Sequence, residues 1–135
     1  MTTTSPEPFY SLARRAGDFV FLSAFGPVDD RMEVVGTTIE EQTAACMEAV
    51  GRALRQEGAD FGHLVCVDVF LRDLADRSAF NEVYARYFPN RHQMPARRLY
   101  GAGDLFKGIR LEVAGTAYLG SPPLAAPGAG TASGA

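Results

Sequence analysis

At 135 residues the chain suits one domain, and a core of that size stands without disulfides or metals. Its 47% hydrophobic and 21% charged residues are globular values that set it apart from disordered chains. A net charge of −3 lacks the basic footprint of a nucleic-acid binder, and there is no run of about twenty apolar residues to span a bilayer.

Residues 1–8 read as a flexible N-terminus without the basic and apolar regions of a signal peptide, so export is not expected and a cytoplasmic location is. The turn-like Ala16-Gly17-Asp18 precedes a strand at Phe19-Val20-Phe21-Leu22-Ser23, where both parities are apolar. Gly26-Pro27 breaks it, and Met32 to Val35 predicts a short second strand. From Thr38 the period becomes helical, with Ile39, Cys46, Val50, Ala53 and Leu54 on one stripe. Thr38 and Glu41 have capping-box spacing, and Gly58 is the expected stop.

Leu64 to Leu71 is almost continuously apolar and predicts a central strand. A second helix follows on the spacing of Phe80, Val83, Tyr84, Tyr87 and Phe88, with Asp76 as N-cap and Pro89-Asn90 as its end. Those rings read as core. Arg97 to Tyr100 predicts a strand, as does Ile109 to Tyr118, where Ile109, Leu111 and Val113 alternate with Arg110 and Glu112. Residues 9–119 form the expected single domain, and 120–135, rich in Pro, Ala and Gly, a disordered tail. The order is α+β, with two helices on one face of a mixed sheet. Two helices leave the other face of the apolar strands bare, so a further copy of the chain is the expected cover.

Cys46 and Cys66 read as core filler rather than a disulfide or a metal pair. His63 and His92 have no metal-ligand spacing, and Gly101-Ala102-Gly103-Asp104 lacks the context of a nucleotide fingerprint, so no metal or cofactor is expected.

Several segments, in order, resemble the RidA/YjgF family: Phe9-Tyr10-Ser11, Arg15 to Ser23, Ile39-Glu40-Glu41-Gln42-Thr43, Phe80-Asn81-Glu82-Val83-Tyr84, Pro95-Ala96-Arg97 and Leu111-Glu112-Val113. The resemblance covers roughly residues 9–118. It implies a chorismate-mutase-like fold and a homotrimer around a central barrel, with sites in clefts between subunits. The implied chemistry is hydrolytic deamination of a carboxylate-bearing imine or enamine to a 2-oxo acid and ammonia, of the 2-iminobutanoate/2-iminopropanoate type.

The resemblance makes Arg97 the anchor of the substrate carboxylate, a task suited to its planar fork of donors. It makes Glu112 the group that orients water and takes its proton, and it puts Tyr10 at the pocket edge, from a neighbouring subunit. Each has a plainer alternative: Arg97 as a surface ion-pair residue, Glu112 as an exposed strand position, Tyr10 as packing for the N-terminus. Asn81 reads as a brace rather than a substrate contact. After Arg97 the family's small residue and cysteine are replaced by Arg98 and Leu99. Its Ser-Gly-Gln becomes Ser23-Ala24-Phe25, and its Leu-Pro becomes Leu105-Phe106. Arg97 and Leu99 are expected on one face of their strand, with Arg98 and Tyr100 on the other. Leu99, Phe25 and Phe106 predict a re-shaped pocket for a larger or more aromatic acid, with Arg98 as a second anionic contact. A non-catalytic trimer that binds small carboxylates, or a pathway-specific enzyme on a larger substrate, is the alternative.

Overall fold

Because the strands Leu64–Leu71 and Leu111–Tyr118 run in opposite directions and the latter sits beside Phe19–Phe25, residues distant in sequence meet along one five-stranded sheet. The computed structural model describes residues 9–120; the expectations for residues 1–8 and for the tail beyond Gly120 lie outside them. The elements are β1 (Ala13–Ala16), β2 (Phe19–Phe25), α1 (Ile39–Gln56), β3 (Leu64–Leu71), α2 (Arg77–Tyr84), β4 (Ala96–Gly101) and β5 (Leu111–Tyr118). The sheet order is β1-β2-β5-β3-β4, with β3 and β4 parallel and the other neighbours antiparallel.

α1 starts where the sequence places it. Thr38 Oγ1 accepts from the Glu41 amide at 3.1 Å, and Glu41 Oε1 accepts from the Thr38 amide at 3.1 Å. These bonds hold the Glu41 carboxyl down at about 2, the backbone amide of Thr38 contributing most. Glu57 caps the other end, and Gly58 follows at φ +77°, a conformation glycine adopts without strain. The buried stripe of Ile39, Cys46, Met47, Val50 and Leu54 lies on the sheet face that carries Val20, Val67, Val69, Leu111 and Val113. Burying each of the larger side chains contributes roughly 1.5–3 kcal/mol.

The period-two pattern of β5 is strict: Leu111, Val113, Gly115 and Ala117 are buried, and Glu112, Ala114, Thr116 and Tyr118 are half-buried. The latter four belong to the face without helices. Phe19, Phe21 and Tyr100 remain more than 40% exposed there, which is the bare apolar face expected from the strand sequences.

At three places the structure differs from or adds to the sequence reading. Ala13–Ala16 is a strand that hydropathy did not reveal, since Ala-Arg-Arg-Ala on a sheet edge shows no apolar alternation. Met32 to Val35 is no strand; a single bridge joins Val28 to Val34, and Met32 sits at φ 64°. Asp76 stands at the N-terminus of α2 without capping it by a side-chain bond, because its carboxylate accepts from Arg110 Nη1 at 3.2 Å. No helix of the described residues is long and apolar enough to cross a membrane.

Candidate functional site

β4 pairs with β3 in the register Val67–Arg97 and Val69–Leu99, so Arg97 and Leu99 point toward the helices. Arg97 is half-buried at the rim of that layer. Its Nη1 donates to Asn81 Oδ1 of α2 at 2.9 Å, and its guanidinium carbon lies 5.1 Å from the Tyr84 ring centre and 5.7 Å from that of Phe80. Contacts of this kind orient a guanidinium and help to hold its charge. Among the described residues no carboxylate pairs with Arg97. It opens on a cavity of about 510 Å³ lined also by Asn81, Tyr84, Phe88, Arg91 and Met94, and among the described residues no Asp or Glu lines it. The Tyr84 hydroxyl is buried without a partner among the described residues, and burial pushes it up to about 12, so it is neutral at pH 7.

Glu112 sits near the start of β5, level with Phe70 of β3 and therefore on the helix-free face. It lines a second cavity, of about 770 Å³, together with Tyr10, Phe25, Gly26, Phe106 and Ile109. A Cβ on Gly26 would stand 2.7 Å from Ile109 Cδ1 and 3.8 Å from Glu112 Cγ, so a larger residue there must displace the Ile109 side chain. Burial pushes the Glu112 carboxyl above its ordinary value of 4.5, and among the described residues no cation or donor offsets that burial. Asp29, Asp30 and Glu57 line the same cavity against one arginine, Arg52. One cavity is thus basic and the other acidic.

Within one chain the sequence-predicted residues fall into two groups. Tyr10, Phe25, Phe106 and Glu112 share the acidic cavity. Arg97 stands apart from Glu112, on the opposite face of the sheet and with β3 between their strands. Leu99 shares the face of Arg97, as the alternation predicts. It packs against the core instead of lining either cavity, because its partner Val69 and the helices cover it.

Arg98 points the other way and is held by Asp68, with Nε to Oδ1 at 2.8 Å. It is not a second anionic contact beside Arg97 in the chain. The sequence reading of Asn81 as a brace stands, with Arg97 as the group it braces. Their spacing on the helix places Tyr84 and Phe88 in the core; they are buried, and they also wall the arginine cavity. Helical spacing reports which residues face inward and carries no signal for the rim of a cavity.

A model of the family described as endoribonuclease L-PSP matches residues 2–119. The chain is 35% identical over 105 residues to Reactive Intermediate Deaminase A, chloroplastic, of Arabidopsis thaliana; the match covers 77% of this chain and 55% of that longer protein. It is 31% identical over 118 residues to the 3-aminoacrylate deaminase RutC of Acinetobacter baylyi, covering 87% and 92%. The crystal structure of yeast Mmf1 superposes with a TM-score of 0.79 at 29% identity, over 84% of this chain and 90% of that one. With its five-stranded mixed sheet and two helices, the chain belongs to the RidA/YjgF family.

Proposed function

We propose that the protein hydrolyses a carboxylate-bearing imine to a 2-oxo acid and ammonia, at sites that two neighbouring copies of the chain complete together. The observation that carries this reading is the sorting of charge: among the described residues, Arg97 faces a cavity without carboxylates and Glu112 has no ion-pair partner in an acidic one. A protonated 2-imino acid is itself divided in this way, with an anionic carboxylate beside a cationic C=N group. The relatives named reactive intermediate deaminase and 3-aminoacrylate deaminase support the same chemistry.

Arg97 would take the carboxylate through its fork, for roughly 1.5–3 kcal/mol. Glu112 would orient a water against the imine carbon. As the C–O bond forms, the water's proton passes to Glu112 and the C=N electron pair moves to nitrogen. Glu112 then returns that proton to the nitrogen. As the C–N bond breaks, the hydroxyl oxygen forms the C=O bond and gives its proton to Glu112, which passes it to the departing ammonia and leaves the 2-oxo acid behind. Burial raises the basicity of Glu112, which suits a group that must both accept and return a proton.

The two groups lie on opposite faces of a single sheet, so one chain alone does not complete the site. A homotrimer that covers Phe19, Phe21 and Tyr100 would bring the arginine cavity of one copy to the acidic cavity of the next. The test generates 2-imino acids with an amino-acid oxidase and follows their loss with the protein, Arg97→Ala and Glu112→Ala. The proposal expects acceleration by the wild type and losses of about 10–100-fold for Arg97→Ala. No acceleration with any imine would favour a trimer that binds small carboxylates without turning them over.

A further inference from the structure

The sequence suggests Arg98 as a second anionic contact, and Asp68 occupies it on the far face. A different arginine stands where that role requires one. Arg91 lines the Arg97 cavity from the short turn Arg91–Gln93, which Asn90 fixes by accepting from the His92 amide at 3.0 Å. Pro89 and Pro95 flank the turn and restrict its backbone. Among the described residues Arg91 has no ion-pair partner, and no carboxylate lines the cavity it shares with Arg97.

Two arginines line one cavity with no carboxylate among the described residues, a lining that suits a ligand with two anionic groups. The single carboxylate of a simple 2-imino acid satisfies Arg97 alone. At about 510 Å³ the cavity also exceeds the room that a three- or four-carbon imine fills.

We infer that Arg91 is a specificity-determining residue and that the site prefers dicarboxylates, the 1-carboxylate on Arg97 and the distal carboxylate on Arg91. This deepens the imine-hydrolysis reading and rests on it for the reaction, while the ligand preference is measurable without turnover. Arg91 is exposed, so the contribution of the second contact is moderated by solvent.

Titration calorimetry on the full chain with the stable products 2-oxoglutarate and 2-oxobutanoate tests the inference. The expected result is an affinity about tenfold higher for 2-oxoglutarate in the wild type. Arg91→Ala should remove that difference, by weakening 2-oxoglutarate more than 2-oxobutanoate, and Arg91→Lys should keep part of it. Equal affinities, undetectable binding of both acids, or a preference that survives Arg91→Ala would overturn it. Parallel kinetics with 2-iminoglutarate and 2-iminobutanoate separate the two ideas. Hydrolysis without dicarboxylate preference removes only this inference, and preference without hydrolysis removes only the enzymatic reading.

Discussion

Asn81 Oδ1 accepts a 2.9 Å hydrogen bond from Arg97 Nη1, joining the second helix to the strand beneath it. The bond uses one edge of the guanidinium fork and aims the rest at the cavity. In Asn81→Asp the new carboxylate would pair with Arg97 and compete with a substrate carboxylate. The variant is expected to raise KM about tenfold or more, with a smaller change in kcat, whereas Asn81→Ala loosens the aim and has the milder effect. Steady-state kinetics on one imine distinguishes the two variants.

Burial lifts the Glu112 carboxyl above 4.5, with two consequences. As a base it must be ionised, so kcat/KM should rise with pH through its raised value, and the limb should lie above that of an ordinary glutamate. Glu112→Gln is expected to lose about 10²–10⁴-fold in kcat/KM and to lack that limb.

The same shift affects stability in the opposite sense. Between the ordinary value and the raised one, the folded chain keeps a proton that the unfolded chain has released, so stability falls as pH rises through that window. Glu112→Gln should flatten this part of the profile and leave the chain at least as stable at neutral pH. Denaturant unfolding across the window measures it; a less stable Gln variant there would contradict the account.

Thr38 and Glu41 satisfy each other at the start of α1. Thr38→Ala is expected to cost about 1 kcal/mol, lowering Tm by about 3–5 °C without changing KM. Glu41 is held at about 2, so the stability it contributes is present above 4.5 and is lost as pH falls toward 2. Thermal melting of both forms at neutral and acid pH checks this.

The sequence is legible where one physical rule dominates. Apolar period alone located α1, β3, α2 and β5, and the Thr38–Glu41 spacing marked the start of α1 to the residue. Alternation placed Arg97 and Leu99 on one face and Arg98 on the other. It carried no information on Asp68, thirty residues away, which captures Arg98, because ion pairs between strands depend on a register that only the fold supplies. Nor did it indicate that Leu99 is covered by core, that Asp76 is drawn to Arg110, or that Arg91 shares a cavity with Arg97. The resemblance named Arg97 and Glu112 together. Their separation by the thickness of the sheet is a property of the three-dimensional register, and it is what makes a neighbouring copy necessary in the proposed site.

The most direct measurement is therefore complementation between two inactive variants. Arg97→Ala and Glu112→Ala chains would be co-expressed, purified as mixed assemblies and assayed for imine hydrolysis. If each site takes Arg97 from one copy and Glu112 from its neighbour, random mixing in equal amounts restores about a quarter of wild-type activity, since half of the chains carry each intact group. Mixed assemblies as inactive as either variant alone would contradict a shared site.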